Sequence, residues 1–275
     1  MPPARGVLYL FTFGVLAVAG RAALGKVPPL AVALALALAY VALVLSGVLV
    51  LRLRMFVDAL TRGPKGARGV VLTFDDGPHP VHTRAVLDLL GRESARATFF
   101  VIGKKAEAHP DLVREILSRG HRVGLHSYEH DRFMALRSAA FVRADLERGM
   151  KALERITGER PTLFRPPVGH TNPSIARVVG ELDLAVVGWT TSGLDGVASA
   201  RPERVAARVR CALHDGAIIA LHDAAERDDH EPAGVRALPA ILDAVVRQHL
   251  EIVPLERWLE EGEDSQGGTE DTERR

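Results

Sequence analysis

Beyond Gly69 the chain switches period repeatedly, and this alternation leaves few folds open. Short apolar runs of strand character ("VVLTF", "ATFFVI", "HRVGLH", "PTLF", "LAVVGWT", "AIIALHD" and "EIVPL") alternate with stretches whose apolar residues recur at helical spacing. The helical pattern covers Thr83 to Glu93, then "AHPDLVREILSRG", which opens on a Pro and stops at a Gly. It returns in the long amphipathic "SAAFVRADLERGMKALERITG" and again in "NPSIARVVGELD", "RPERVAARVRCALHDG" and "GVRALPAILDAVVRQHL". Strands joined by helices run parallel, because a parallel pair needs a long crossover. About seven such repeats give either a parallel barrel or an open doubly wound sheet, and both gather their chemistry at the C-terminal ends of strands.

The region before the repeats has another character. Val27 to Leu51 carries no charge and would run roughly 37 Å as a helix, enough for a bilayer core of about 30 Å. An earlier apolar run, Val7 to Ala19, reads as a second span with Arg21 snorkelling, the alternative being a signal-peptide h-region. The expected organisation is therefore a membrane segment over 1–54, a linker over 55–68, a catalytic domain over 69–260 and a disordered tail over 261–275. The tail has no apolar periodicity. Arg52, Arg54, Arg62, Lys65 and Arg68 follow the second span, so the positive-inside rule would place the large domain in the cytoplasm. A net charge of +1 gives no electrostatic case for nucleic acid, and a single cysteine, Cys211, excludes an intrachain disulfide framework and a cysteine-rich metal site.

The polar residues at the strand ends carry the chemistry. "VVLTFDDGP" puts Asp75 and Asp76 back to back where a buried strand stops. Two such carboxylates repel unless a cation or a proton is shared between them. The third strand ends in "HSYEH", whose His126 and His130 point the same way if the stretch is helical, as a pair of metal ligands would. Two histidines and one carboxylate with an open position make a catalytic zinc arrangement, which frees the other Asp to act as a base. A base beside metal-bound water implies hydrolysis. His222 in "LHD" suits the acid, with Asp195 holding its tautomer, and Arg165 can pair with the free Asp.

Taken in order, "TFDDGP", "HSYEH", "RPPVG", "WTTSGLDG" and "ALHD" resemble the five motifs of the polysaccharide deacetylases, also called NodB-homology domains or carbohydrate esterase family four. The resemblance covers Val70 to about Trp258. It implies a distorted (β/α) barrel of about seven strands, preceded here by one or two transmembrane helices. It also implies metal-dependent removal of acyl groups, usually acetyl, from sugars, as a hydrolase of non-peptide C–N bonds. By position it makes Asp75 the base and Asp76, His126 and His130 the ligands of a metal, usually Zn2+, with other divalent ions accepted. Arg165 then orients Asp75, and His222 is the acid with Asp195 as its partner. The backbone N–H of Val168 is an oxyanion donor, Leu221 lines the acyl pocket, and His121 is structural.

Two departures stand out. Val168 replaces the family's usual Tyr, and the fourth motif, commonly D-x-x-D-W, has Ser192 and Gly196 at its outer positions. His79, His82 and His170 lie near the motifs without a family role. The expected function is deacylation of an N-acetylated amino sugar in a cell-envelope glycan, by a protein of the bacterial inner membrane whose domain faces the periplasm or outside, as the family resemblance implies against the charge bias, the cytoplasmic face being the alternative. One alternative is a deacylase or deformylase of a polyprenyl-phosphate-linked sugar; another is a non-catalytic glycan-binding domain. The expected partners are the glycan or glycolipid substrate and the membrane.

Overall fold

The computed structural model describes residues 1–259; the expected disordered tail and the last residue of the expected catalytic domain lie outside them. Two apolar helices come first, α1 (Pro3–Ala23) and α2 (Leu30–Leu49), both long and apolar enough to cross a membrane. Then follow β1 (Ala59–Leu60), β2 (Val70–Asp75), α3 (His82–Arg92), β3 (Ala97–Val101), α4 (Gly103–Ala108), α5 (Pro110–Ser118), β4 (Arg122–Leu125) and α6 (Ala139–Thr157). The rest comprises β5 (Leu163–Phe164), α7 (Pro173–Glu181), β6 (Ala185–Val187), β7 (Thr191–Ser192), α8 (Pro202–Ala212), β8 (Ala217–His222) and α9 (Ala233–Arg247).

All eight strands form one parallel sheet in the order β1-β6-β5-β4-β3-β2-β8-β7, curled into an incomplete barrel with helices outside. This resolves the choice left open by the alternation in favour of the distorted barrel. Two strands exceed the expectation, β7 and β1, and β1 lies within residues expected to be a linker. "EIVPL", expected as a last strand, contributes a single bridge from Ile252 to Val70. The open seam is stitched by side chains and loops: Thr190 Oγ1 donates to the Thr61 carbonyl at 3.0 Å, and Gly63 N–H to the Gly216 carbonyl at 2.8 Å.

Local sequence sets the helix limits. The Ser138 hydroxyl accepts from Phe141 N–H at the start of α6, and Gly158, at a left-handed φ of 80°, ends it. Asn172 Oδ1 caps α7 through Ile175 N–H at 2.7 Å. β2 is buried along its whole length, as a central parallel strand must be, and its Phe74 stacks on Phe99 of β3 with ring centroids 5.1 Å apart. Such a pair contributes about 0.5–1.5 kcal/mol beyond its buried area and helps fix the register of β2 against β3. That register matters for the site, because it places Asp75 opposite Phe100 on one side and His222 of β8 on the other.

Candidate active site

β2 ends at Asp75, and the next residue, Asp76, takes a left-handed φ of 70° that turns the chain sharply between the two carboxylates. Asp tolerates that conformation better than most residues. The turn needs Gly77, since a Cβ there would sit 2.3 Å from Asp223 Oδ2. Both carboxylates are buried, and they meet different partners.

Asp75 faces Arg165, whose Nη1 donates to Asp75 Oδ1 at 2.7 Å and to Thr73 Oγ1 at 2.8 Å. Arg165 has no exposed surface; its remaining donors reach the Val187 and Gly188 carbonyls at 3.2 and 2.9 Å, and its guanidinium lies 4.1 Å from the Phe100 ring centroid. Burial pulls its pKa down, and the Asp75 charge and hydrogen bond oppose that pull.

Asp76 faces the histidines. Its Oδ1 lies 3.4 Å from His126 Nε2 and 3.1 Å from His130 Nε2, and the candidate ligand atoms of the three residues all fall within 4.8 Å of one another. The two histidines are not on a helix, as their spacing had suggested. They flank a turn in which Ser127 and His130 hold φ values of 62° and 58°. Three contacts fix that turn: His130 N–H donates to Ser127 Oγ at 2.9 Å, and Tyr128 and Glu129 N–H donate to the Asp145 carboxylate of α6 at 2.8 and 3.1 Å.

The donor chemistry fits a cation. His126 Nδ1 sits 2.7 Å from the Arg165 carbonyl, which can only accept, so Nδ1 carries the hydrogen and Nε2 of the neutral ring presents its lone pair towards Asp76. His130 Nδ1 lies 3.6 Å from Glu226 Oε1, beyond hydrogen-bond distance, and is buried without a hydrogen-bond partner. Asp76 Oδ1 is buried without a hydrogen-bond partner. Burial works to raise the Asp76 pKa, but the imidazoles facing it, His126, His130 and His222, outweigh that and hold it well below the ordinary carboxylate range. Burial lowers His130 to about 4, with His126 adding to the effect. One carboxylate oxygen that receives no hydrogen, converging with two imidazole nitrogens, is a donor set that a divalent ion satisfies.

His222 stands across the site, its Nε2 4.0 Å from Asp76 Oδ2. Asp195, fully buried, accepts from His222 N–H at 2.9 Å and meets its Nδ1 at 3.0 Å. Burial alone would lower the His222 pKa; the Asp195 charge and hydrogen bond, with Asp76 and Asp75 behind them, raise it to about 10. Gly196 lies against this ring: a Cβ there would come within 3.0 Å of His222 Nε2.

Val168 holds φ 51° in a short turn after β5, an uncommon conformation for a β-branched residue, and its side chain is exposed at the rim. Leu221 is fully buried in the core, against Gly193. His121 accepts from Ala97 N–H at 3.2 Å, and burial lowers its pKa to about 4, as a structural residue requires. His79 and His82 stack on each other 4.1 Å apart, and neither they nor His170 join the metal-ligand trio. Sequence reasoning missed Thr73, Asp145, Glu226 and Asp223. Thr73 and Asp145 had a readable signal, since each is a polar residue inside an otherwise apolar strand or helix stripe.

The fold and site define an incomplete parallel (β/α) barrel with a two-histidine, one-carboxylate centre at its strand ends. The chain belongs to the polysaccharide deacetylase family, whose model matches residues 62–187. It is 33% identical over 198 residues to a peptidoglycan-N-acetylglucosamine deacetylase of Bacillus cereus, covering 71% of this chain and 90% of that one. It is 36% identical over 165 residues to the Listeria monocytogenes enzyme of the same name, covering 58% of this chain and spanning 33% of the relative's length. The solved family 4 acetyl xylan esterase of Clostridium thermocellum, in complex with a cobalt ion, superposes with a TM-score of 0.63 at 32% identity, over 70% of this chain and 90% of that one.

Proposed function

We propose that the chain hydrolyses the N-acyl group, acetyl above all, of an amino sugar in a cell-envelope glycan. The observation that carries this reading is the division of labour between neighbouring carboxylates. Asp76 Oδ1 is buried beside two imidazoles without a donor, while Asp75 is held by Arg165. Asp76, His126 and His130 would hold a divalent cation, which would acidify a water and polarise the amide carbonyl; this donor set suits zinc and accepts other divalent ions.

The protein's own residues supply the rest. Asp75, fixed by Arg165 and Thr73, accepts a proton from the attacking water. The backbone N–H of Val168 stabilises the charge developing on the carbonyl oxygen. The protonated form of His222, stabilised by Asp195, gives its proton to the amine nitrogen as the C–N bond breaks, leaving a free carboxylate and an amino sugar. Leu221, and Gly196 packed against the His222 ring, shape the acyl side. The relatives named for peptidoglycan support an envelope glycan as substrate. Residues 1–54 anchor the protein in the bacterial inner membrane, and 69–260 form the catalytic domain on its outer side.

The test is acetate release from N-acetylglucosamine oligomers by the full chain, with zinc and with chelator. Chelator-sensitive release that disappears in Asp75→Asn, with zinc binding retained, is the expected result. Release that survives chelation, or that persists in Asp75→Asn, would overturn it.

A further inference from the structure

The catalytic mouth and the membrane helices are joined in a way the proposed chemistry does not require. α2 ends at the rim of the site. Thr171 N–H, just beyond the turn that carries Val168, donates to the Val48 carbonyl in its last turn at 3.0 Å. Leu49, Val50, Leu51 and Arg52 line one cavity of about 120 Å³ together with Val168, Gly169 and Trp189. Leu51 is buried against Gly188, where a Cβ would meet its Cδ2 at 2.9 Å, and the Gly188 carbonyl accepts from Arg165. From the last apolar residues of the span to the base Asp75 the contacts therefore run through two residues, Gly188 and Arg165. Arg52 and Arg54 follow at once, and Arg5, at the start of α1, reaches back to Asp58, so cationic side chains mark where the hairpin leaves its apolar stretch.

The rim of the mouth exposes apolar side chains, with Arg132 and Arg137 among them. Val81 after β2, Phe133 and Leu136 after β4, Val168 after β5, and Leu194 and Val197 after β7 are all exposed, from 43% for Val168 to 79% for Leu136. All six stand on loops at the C-terminal ends of strands. Leu136 belongs to the part of the rim nearest the hairpin, because Asn172 Nδ2, next to the Thr171 that bonds α2, donates to the Ala135 carbonyl at 2.7 Å. Beyond the hairpin and among the described residues, the large apolar side chains exposed at the other end of the barrel are Leu117 and Val246, near the C-termini of α5 and α9. Scattered exposed apolar residues are ordinary, but six of them gathered on the loops at one end of the barrel, the end that also contacts α2, mark a candidate interaction surface.

We infer that the catalytic mouth rests on the bilayer into which α1 and α2 insert, and that its substrate is an amino sugar carried on a membrane lipid. The sugar amide then enters at Asp75 and Asp76, while the lipid tail stays in the bilayer beside α2. The inference rests on the proposed deacylation and on the membrane insertion of the hairpin, and it adds which form of the sugar is presented. A soluble polymer and a second copy of the chain are the competing occupants of the rim.

The full chain in lipid nanodiscs tests it with two readouts. With Cys211→Ser as background, an environment-sensitive fluorophore is placed at Leu136→Cys, at Val197→Cys and, as control, at Val246→Cys. Lipids bearing a shallow spin-label quencher are expected to quench the first two labels at least threefold more than the control. The second readout is acyl release from a polyprenyl-phosphate-linked N-acetylglucosamine in the same disc and from a soluble N-acetylglucosamine tetramer. The lipid-borne sugar is expected to be preferred at least tenfold in kcat/KM, and Leu136→Glu to erase that preference while leaving the tetramer rate unchanged. Labels quenched no more than the control, or a tetramer used as well as the lipid-borne sugar, would overturn the inference. So would self-association of the discs that depends on Leu136. If no substrate releases an acyl group, the proposed chemistry fails, and quenching still decides where the mouth lies.

Discussion

Loading a divalent cation into the metal-free protein at pH 8 is expected to expel close to one proton from His222. The imidazole is held protonated, with a pKa raised to about 10, partly by the Asp76 carboxylate 4.0 Å from its Nε2. A cation bound by Asp76 cancels that carboxylate's charge. At an effective dielectric of about 20, a unit charge at this separation is worth about 4 kcal/mol, roughly a thousandfold in proton affinity. That brings His222 from about 10 to roughly 7, so at pH 8 its protonation falls from nearly complete to about one tenth and about 0.9 proton is released. Two of the ligands add nothing: Asp76 is already ionised, and His130, lowered to about 4, is already neutral. The assay is calorimetric titration with zinc in buffers of different ionisation enthalpy, whose dependence of heat on buffer counts protons. Any proton lost by water at the cation is common to wild type and His222→Asn, so the difference between the two isolates the imidazole. A difference below about 0.3 proton would refute the coupling of His222 to Asp76.

Three further outcomes follow from the same geometry. Because the folded pKa of His222 lies above the ordinary value of 6.5, its stabilising contribution is complete below about pH 6.5 and is lost as pH rises through about 10. Urea unfolding of the metal-free protein should therefore show stability falling by up to about 5 kcal/mol across that window, and a flatter profile in His222→Asn. Arg165→Met leaves Asp75 buried without its partner and is expected to cost about 3–5 kcal/mol, or roughly 6–20 °C in Tm by calorimetry. Asp75→Asn in the same chain should recover part of that loss, and equal losses in the single and double variants would show the pair is not coupled. Glu226→Gln is expected to weaken zinc binding severalfold in competition with a chromophoric chelator, by removing the carboxylate charge 3.6 Å from His130 Nδ1; an unchanged affinity would remove Glu226 from the site.

The parallel (β/α) architecture was legible because it rests on periodicity over long stretches. The helix read over Thr83 to Glu93 forms as His82–Arg92, and the long amphipathic run forms α6 between its Ser138 cap and Gly158 stop. β1 and β7 were not legible, because two residues have no period. They become strands only because β6 and β8 present edges to pair with. The same argument works in reverse for "EIVPL": its strand-like composition meets the partner at one residue, Val70, whose strand already has neighbours on both sides.

The candidate site was legible in its residue types and less so in its geometry. Asp76, His126 and His130 do converge, but by a route the spacing did not indicate, since an i, i+4 relation fixes direction only on a helix. Here the direction comes from left-handed residues at Ser127 and His130, held by Asp145 from a helix that follows in sequence. Such support has one sequence signature, a polar residue where the pattern calls for an apolar one. Asp145 lies on the stripe that also buries Val142, Leu146 and Met150, and Thr73 interrupts a strand buried from end to end. A buried polar side chain costs free energy unless it is hydrogen-bonded, so each such interruption implies a partner that must itself be buried. For Thr73 that partner is Arg165, and for Asp145 it is the backbone of the histidine turn. Both interruptions thus lead from the interior to the two carboxylate environments on which the chemistry depends, Arg165 with Asp75 and the histidine turn with Asp76.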